Sequence, residues 1–250
     1  MERDTKTVFL FDVDGTLTAS RKVIEPEMAR FMEDLKSQVK VALVGGSDLV
    51  KIAEQLGGDD VIHKFDYVFA ENGLVAYKEG QQIGQQNILK HMGEEVLQKV
   101  INFSLHYMSQ LTLPAKRGTF IEFRSSMINI CPVGRSCSQA ERDAFAAYDQ
   151  EHQVREKFKL ALEKEFQGAG LQFAIGGQIS IDVFPEGWNK TYCLRFMEND
   201  VDTIHFFGDK TEKGGNDYEI FADPRTVGHS VTSPEDTRKQ VTEVLNSLKH

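Results

Sequence analysis

Cysteine is scarce in this chain, and the little there is does not pair. Cys131, Cys137 and Cys193 are the only three in 250 residues and form no CxxC step. That argues against a disulfide framework and a structural zinc site, and leaves a reduced compartment as the expectation. Long apolar runs are also missing. Nothing approaches the ~18 consecutive apolar residues that a membrane helix needs, and the opening MERDTKT is not followed by an apolar signal region. A soluble cytoplasmic protein without a membrane partner is therefore expected. Basic excess is absent as well: 29 Lys and Arg stand against 38 Asp and Glu, a net charge of −9. A nucleic-acid partner needs a basic face to neutralise phosphates, so none is expected. A small anionic substrate needs only a local cationic pocket and is not excluded. No repeat or low-complexity segment occurs.

What is present is ordinary globular composition, 40% apolar and 27% charged, in a length that suits one large or two modest domains. Val8-Phe-Leu-Phe11 is a short continuous apolar run, as expected of a strand covered on both faces. Glu25 to Lys36 has helical spacing, Val39 to Val44 is a second buried strand, and Leu49 to Leu56 is a helix that Ser47 or Asp48 can cap. Tyr67 to Ala70 is a third strand. This alternation predicts a parallel sheet with right-handed crossovers. The middle differs. After a helix over 93–110, strands are expected at 119–123 and 127–130, two helices at 138–150 and 154–166, and a hairpin at 172–175 and 180–184. Hairpin strands with grouped helices imply an α+β unit. Strands at 203–207 and 226–228 and a helix over 233–248 resume the first pattern. The predicted fold is α/β: a Rossmann-like parallel-sheet core, residues 1–82 with 187–250, and an inserted α+β cap domain, residues 83–186.

Asp12-Val13-Asp14-Gly15-Thr16 at the end of the first strand is the strongest chemical signal. Open parallel sheets place reactive groups where strands end and loops diverge. Two Asp at i and i+2 leave the strand into different surroundings, so one can act as nucleophile while the other handles the proton. A carboxylate attacking phosphorus forms an acyl phosphate, splitting one hard transfer into two. A bare Asp-Gly would be a solvated turn; its place directly after VFLF makes it far more specific. No GxGxxG follows that strand, which argues against a dinucleotide site.

The motif resembles the first motif, DxDx[TV], of the haloacid dehalogenase superfamily of phosphotransferases. The resemblance implies that Asp12 is the nucleophile and Asp14 the general acid/base, with one Mg²⁺ between them and the phosphate. The other superfamily motifs occur in order. Ser47 in Val44-Gly-Gly-Ser-Asp48 would hold the transferring phosphoryl group, and Lys190 in Gly187-Trp-Asn-Lys190 would neutralise it. Asp209 after Gly208 would join Asp12 and Asp14 as a hard oxygen ligand of Mg²⁺. The segment Asp209 to Asp217 is longer than the superfamily's usual GDxxND loop.

Between Thr112 and Arg142 the chain carries Lys116, Arg117, Arg124, Arg135 and Arg142 against Glu122 and Glu141, a local +3 that leaves −12 elsewhere. Arg forks suit bidentate phosphate recognition. Blocks along nearly the whole length resemble eukaryotic phosphomannomutases. They include Phe11-Asp-Val-Asp-Gly-Thr-Leu-Thr18, Phe65-Asp-Tyr-Val-Phe-Ala-Glu-Asn-Gly73 and Lys116-Arg-Gly-Thr-Phe-Ile-Glu-Phe-Arg124. Further blocks are Pro132-Val-Gly-Arg-Ser-Cys137, Ile181-Asp-Val-Phe-Pro-Glu-Gly-Trp188, Gly214-Gly-Asn-Asp217 and Ile220-Phe-Ala-Asp-Pro-Arg-Thr-Val-Gly-His-Ser230. The resemblance implies that Arg124, Arg135, Arg142, Ser180 and Asp182 bind hexose phosphate in the cap, with Arg21 reaching from the core. It implies a second cation near Phe221, Asp223 and Thr226, a homodimer through the caps, and interconversion of mannose 6- and 1-phosphate. A hexose 1,6-bisphosphate would serve as intermediate and activator, and the product would supply GDP-mannose synthesis. Two readings compete: a sugar-phosphate phosphatase of the same superfamily, with water as acceptor, and a non-catalytic module on the same fold, which the intact set of five motif residues argues against.

Overall fold

The computed structural model describes residues 3–19 and 22–248. The chain divides into two compact units, residues 1–85 with 187–250 and residues 86–186. The first boundary therefore falls three residues beyond the one expected from sequence. The cause is a strand that continues to Gln85.

The first unit is built on a seven-stranded sheet. Five parallel strands lie in the order β11 (Val227–Ser230), β10 (Thr203–Gly208), β1 (Asp4–Phe11), β2 (Val39–Val44), β3 (Tyr67–Ala70). Two antiparallel strands, β4 (Val75–Lys78) and β5 (Gln81–Gln85), complete it at the far edge. The apolar run of β1 explains itself in this setting. Side chains alternate between faces, so Phe9 and Phe11 enter one core with Val41, Leu43 and Phe207. Val8 and Leu10 enter the opposite core with Ala42, Val44 and Phe206. The first core is closed by α1 (Pro26–Lys36), α2 (Leu49–Leu56) and α9 (Pro234–Ser247), whose buried residues include Met28, Met32, Ile52, Leu56 and Val241. Asp48, not Ser47, caps α2, its carboxylate accepting from the Lys51 amide. A short α3 (Val61–Lys64) leads into β3.

The second unit carries a four-stranded antiparallel sheet in the order β6 (Ile121–Phe123), β7 (Ile128–Ile130), β9 (Ser180–Pro185), β8 (Leu171–Gly176). Its helices are α4 (Ile88–Met92), α5 (Glu94–Ser109), α6 (Gln139–His152) and α7 (Val154–Glu165). Ser138 and Glu141 form a reciprocal capping box that starts α6. Register puts Ile128, Ile130, Ile181 and Val183, all fully buried, on one face of the sheet. The other face carries Glu122, Asn129 and Asp182 in one cross-strand row. The strand expected to begin at residue 119 starts at Ile121. Residues 117–120 instead bond the 131–136 loop, through Arg117 N to Val133 O, Cys131 N to Phe120 O and Arg135 N to Thr119 O at 2.8–2.9 Å.

Phe9 is fully buried between the Phe207 and His205 rings, at 5.6 and 5.2 Å. Phe9→Ala should lower the free energy of unfolding by about 3–5 kcal/mol in urea titration. A loss below about 1 kcal/mol would mean that this core is not the packed centre described.

Candidate active site

Four strands of the parallel sheet end at one place. Asp12 follows β1, Gly45 to Ser47 follow β2, the Glu71–Gly73 turn follows β3 and Asp209 follows β10. Strand β1 is central, with β2 to one side and β10 to the other, so the chain reverses its winding here and a crevice opens at the carboxyl ends. A cavity of about 130 Å³ occupies it, lined among others by Asp12, Asp14, Gly46, Ser47, Gln55, Lys210 and Asn216.

At its base lies a buried ion cluster. Lys190, 1% exposed, bonds both Asp12 and Asp217, the latter at 2.5 Å. Asp12 also accepts from Thr16 Oγ1 at 3.3 Å. Carboxylate oxygens of Asp12, Asp209 and Asp217 lie within 4.8 Å of one another. Lys190 pairs with two of these three carboxylates, and burial dominates the behaviour of Asp12. It pushes the Asp12 carboxyl up to about 6, with Lys190 opposing and Asp217 and Asp209 assisting. Burial raises Asp209 as well. Desolvation would lower the Lys190 ammonium, but Asp12 and Asp217 outweigh it and hold it above its ordinary range.

Local backbone makes this crowding possible. Gly15 has φ +90°, and a Cβ there would sit 2.8 Å from Asp209 Cγ. At Gly208 a Cβ would sit 2.8 Å from Asp217 Cγ. The long loop after Asp209 folds back on itself: Asp217 N donates to Lys210 O, and Lys210 N to Asp217 Oδ2, both at 3.1 Å. That is how Asp217 enters the cluster.

The residues expected as metal ligands were Asp12, Asp14 and Asp209. The carboxylates that gather are Asp12, Asp209 and Asp217. Asp14 is drawn aside, its Oδ1 accepting from Gln55 Nε2 of α2 at 3.0 Å. Hard carboxylate oxygens in so tight a group fit Mg²⁺. Asp217 carried a sequence signal only as the end of Gly-Gly-Asn-Asp, and Gln55 carried none. Ser47 lies in the cavity wall, its carbonyl accepting from the Glu71 amide at 2.9 Å, while Asn72 N donates to Gly45 O at 2.9 Å. Glu71 and Asn72 both have positive φ, 49° and 63°, so backbone strain sits at this wall.

In the second unit, the polar row of the sheet gathers several expected residues. Arg124 Nε donates to Glu122 Oε2 at 2.7 Å, and Arg135 Nε approaches the same oxygen at 3.3 Å. Arg135 NH1 donates to Asn129 Oδ1 at 2.7 Å, and Asn129 Nδ2 donates to Asp182 Oδ1 at 2.6 Å. Burial raises the Asp182 carboxyl, against the pull of Asn129 and the arginines. Ser180 Oγ donates to Gly176 O at 2.9 Å, closing the turn between β8 and β9. Arg155, which sequence did not single out, ties that turn to α6 through Gly177 O at 2.9 Å and Asp149 at 2.7 Å. Arg142 is half-buried on α6.

The profile described as eukaryotic phosphomannomutase matches residues 28–247. The chain belongs to the eukaryotic phosphomannomutase family. It is 62% identical over 233 residues to a phosphomannomutase of Dendrobium officinale, covering 93% of this chain and 92% of that one. It is 59% identical over 245 residues to phosphomannomutase 1 of Homo sapiens, covering 97% and 94%. Solved structures of lower identity share the fold. An IMP-bound Plasmodium falciparum IMP-nucleotidase aligns with TM-score 0.61 at 16% identity, over 98% of this chain and 68% of that one. An Aspergillus fumigatus trehalose-6-phosphate phosphatase gives 0.58 at 18%, over 97% and 93%. A haloacid dehalogenase-like hydrolase of Bacteroides thetaiotaomicron gives 0.58 at 14%, over 97% and 99%. The fold is thus an α/β parallel-sheet core of haloacid dehalogenase type.

Two expectations drawn from eukaryotic phosphomannomutases concern other places. Arg21 lies outside the described residues. Phe221, Asp223 and Thr226 surround the end of α8 (Tyr218–Phe221). There Arg225 forks onto Asp223 at 2.9 and 2.8 Å and holds its carboxyl low, while Thr226 Oγ1 donates to Ile220 O at 2.6 Å. The Asp223 carboxylate is thus engaged by the Arg225 guanidinium.

Two outcomes follow from the cluster. Asp12 is raised in the folded state above its ordinary 3.8, so stability falls as pH rises from about 4 through 6 and stays lower above it. In metal-free buffer Asp12→Asn removes this titration, so its Tm relative to the unaltered protein should improve between pH 4 and pH 8. A Tm difference that stays constant over that range in calorimetry would contradict it. Mg²⁺ at 100 times its Kd should raise stability by about 2.7 kcal/mol, and Asp209→Asn should abolish most of that rise. An unchanged Mg²⁺ response in Asp209→Asn would remove Asp209 from the metal site.

Proposed function

We propose that this chain interconverts mannose 6-phosphate and mannose 1-phosphate through an aspartyl phosphate on Asp12 and a hexose 1,6-bisphosphate. The observation that carries this reading is that one chain holds two unlike features: a buried cluster around Asp12 and Lys190 that suits a metal-bound phosphoryl group, in the first unit, and an arginine-bearing sheet face that suits a phosphate, in the second. A phosphatase needs one phosphate site; a bisphosphate intermediate needs two.

Lys190 holds the Asp12 carboxylate in place and offsets its burial. Asp12 attacks a phosphorus of the bisphosphate, forming a carboxyl–phosphate bond as the bond to the sugar oxygen breaks. Asp14, oriented by Gln55, gives that oxygen a proton. In the reverse sense Asp14 takes the proton of the free hydroxyl of an incoming hexose monophosphate as that oxygen attacks the aspartyl phosphate, which frees the Asp12 carboxylate and forms the bisphosphate again. Ser47 and the amides beside it hold the transferring group at the crevice wall. Mg²⁺ on Asp12, Asp209 and Asp217 would supply positive charge against which carboxylates and phosphate can approach. Arg124, Arg135, Arg142, Ser180 and Asp182 hold the phosphate and sugar not undergoing transfer, with Arg21 contributing from the core.

The family reading also carries a homodimer through the caps, a cytoplasmic setting and delivery of mannose 1-phosphate to GDP-mannose synthesis. For the homodimer, Phe123 on edge strand β6 is half-exposed, an apolar side chain of the kind an interface covers. No helix among the described residues is long and apolar enough to cross a membrane. A second cation at Phe221, Asp223 and Thr226 would have to compete with Arg225.

The test supplies Mg²⁺, mannose 1-phosphate and a trace of hexose 1,6-bisphosphate, then measures mannose 6-phosphate against free phosphate. Isomer without matching phosphate release is expected. Free phosphate without isomer would replace the mutase by a phosphatase.

A further inference from the structure

The arginines of the second unit already hold an anion. Glu122 lies at the middle of β6 opposite Asn129, on the polar face of the sheet. Its Oε2 takes Arg124 through Nε at 2.7 Å and through NH2, and takes Arg135 through Nε at 3.3 Å. The Glu122 side chain is partly exposed at 40%, and those of Arg124 and Arg135 at 37% and 33%, so this carboxylate sits where a solvated anion could exchange with it. Arg135 is meanwhile fixed from behind, by Asn129 on its side chain and by Thr119 O on its amide. The guanidinium can therefore stay in place while its outer partner changes.

We propose that Glu122 is an internal counter-anion of the cap arginines, displaced by substrate phosphate and returning to them when that phosphate leaves. It sets how tightly the second unit holds a phosphate monoester. The inference rests on the proposed assignment of Arg124 and Arg135 to hexose phosphate. A phosphate dianion offers more charge and more oxygens than one carboxylate, so it wins the forks, but against a competitor that never diffuses away. The consequence suits a bisphosphate that must let go and present its other end. Too tight a grip on one phosphate would slow the exchange that the reaction needs. Glu122 is thus a positioning and affinity-setting residue, and no bond to the substrate is assigned to it.

The experiment is calorimetric titration of hexose 6-phosphate into unaltered protein, E122Q and Arg135→Ala, with steady-state kinetics beside it. E122Q keeps the side-chain shape and a hydrogen-bond acceptor while removing the charge, at a partly exposed position where folding should persist; Tm checks this. The expected result is tighter binding in E122Q by about five-fold, the scale of one exposed ion pair. KM and kcat should both fall, and dissociation of hexose 1,6-bisphosphate should slow by a similar factor. Arg135→Ala should bind more weakly. Weaker or unchanged binding in E122Q, with loss in Arg135→Ala, would overturn this inference alone. Unchanged binding in Arg135→Ala would overturn the cap assignment and this inference with it.

Discussion

The buried ammonium of Lys190 between Asp12 and Asp217 is the constraint on which the catalytic unit is arranged. Taking an ion from water costs several kcal/mol unless charge and hydrogen bonds replace the lost solvent. Lys190 finds two carboxylates, yet Asp209 adds a third, so the cluster keeps a net negative charge in a dry place. Burial raises Asp12 with Asp217 and Asp209 assisting, and the carboxylate excess leaves the group suited to a divalent cation. It also orders the chain around it. Strands β1 and β10 must deliver Asp12 and Asp209 side by side, and the loop after β10 must double back to deliver Asp217.

The arginine-bearing sheet face of the second unit stands under opposite conditions. Its charges are partly exposed, so each pair is weak and exchangeable. Specificity there comes from position: the row Glu122, Asn129, Asp182 is fixed by sheet register, and Arg135 by the loop that pairs with residues 117–120. The buried cluster thus suits chemistry in a low dielectric, and the arginine-bearing face suits exchange near water.

Much of this was legible in the sequence because apolar pattern encodes burial directly. The continuous run of β1 is read as a two-sided strand since its alternate residues enter two cores. The hairpin strand β5 was not legible: Gln81, Gln82 and Gln85 are exposed at the sheet edge, where no burial imposes alternation. Among site residues, Asp12, Ser47 and Asp209 follow strand ends and could be found from them, and Lys190 from the Gly187-Trp-Asn-Lys190 segment ahead of β10. Gln55 could not, because its role depends on how α2 packs beside β1, and Asp217 gave only the ambiguous Asn-Asp at the end of a long loop.

The sequence by itself determined the order of elements, the strand ends that carry the reactive carboxylates, and the local basic excess in a chain of net charge −9. These are properties of neighbours in the chain, written in hydrophobic period and residue type. Only the tertiary structure decided which carboxylates share Lys190, that Asp14 turns to Gln55, and that Glu122 stands between two arginines. Those outcomes depend on distances of a few ångströms between residues up to 178 positions apart, set by packing and register rather than by spacing along the chain.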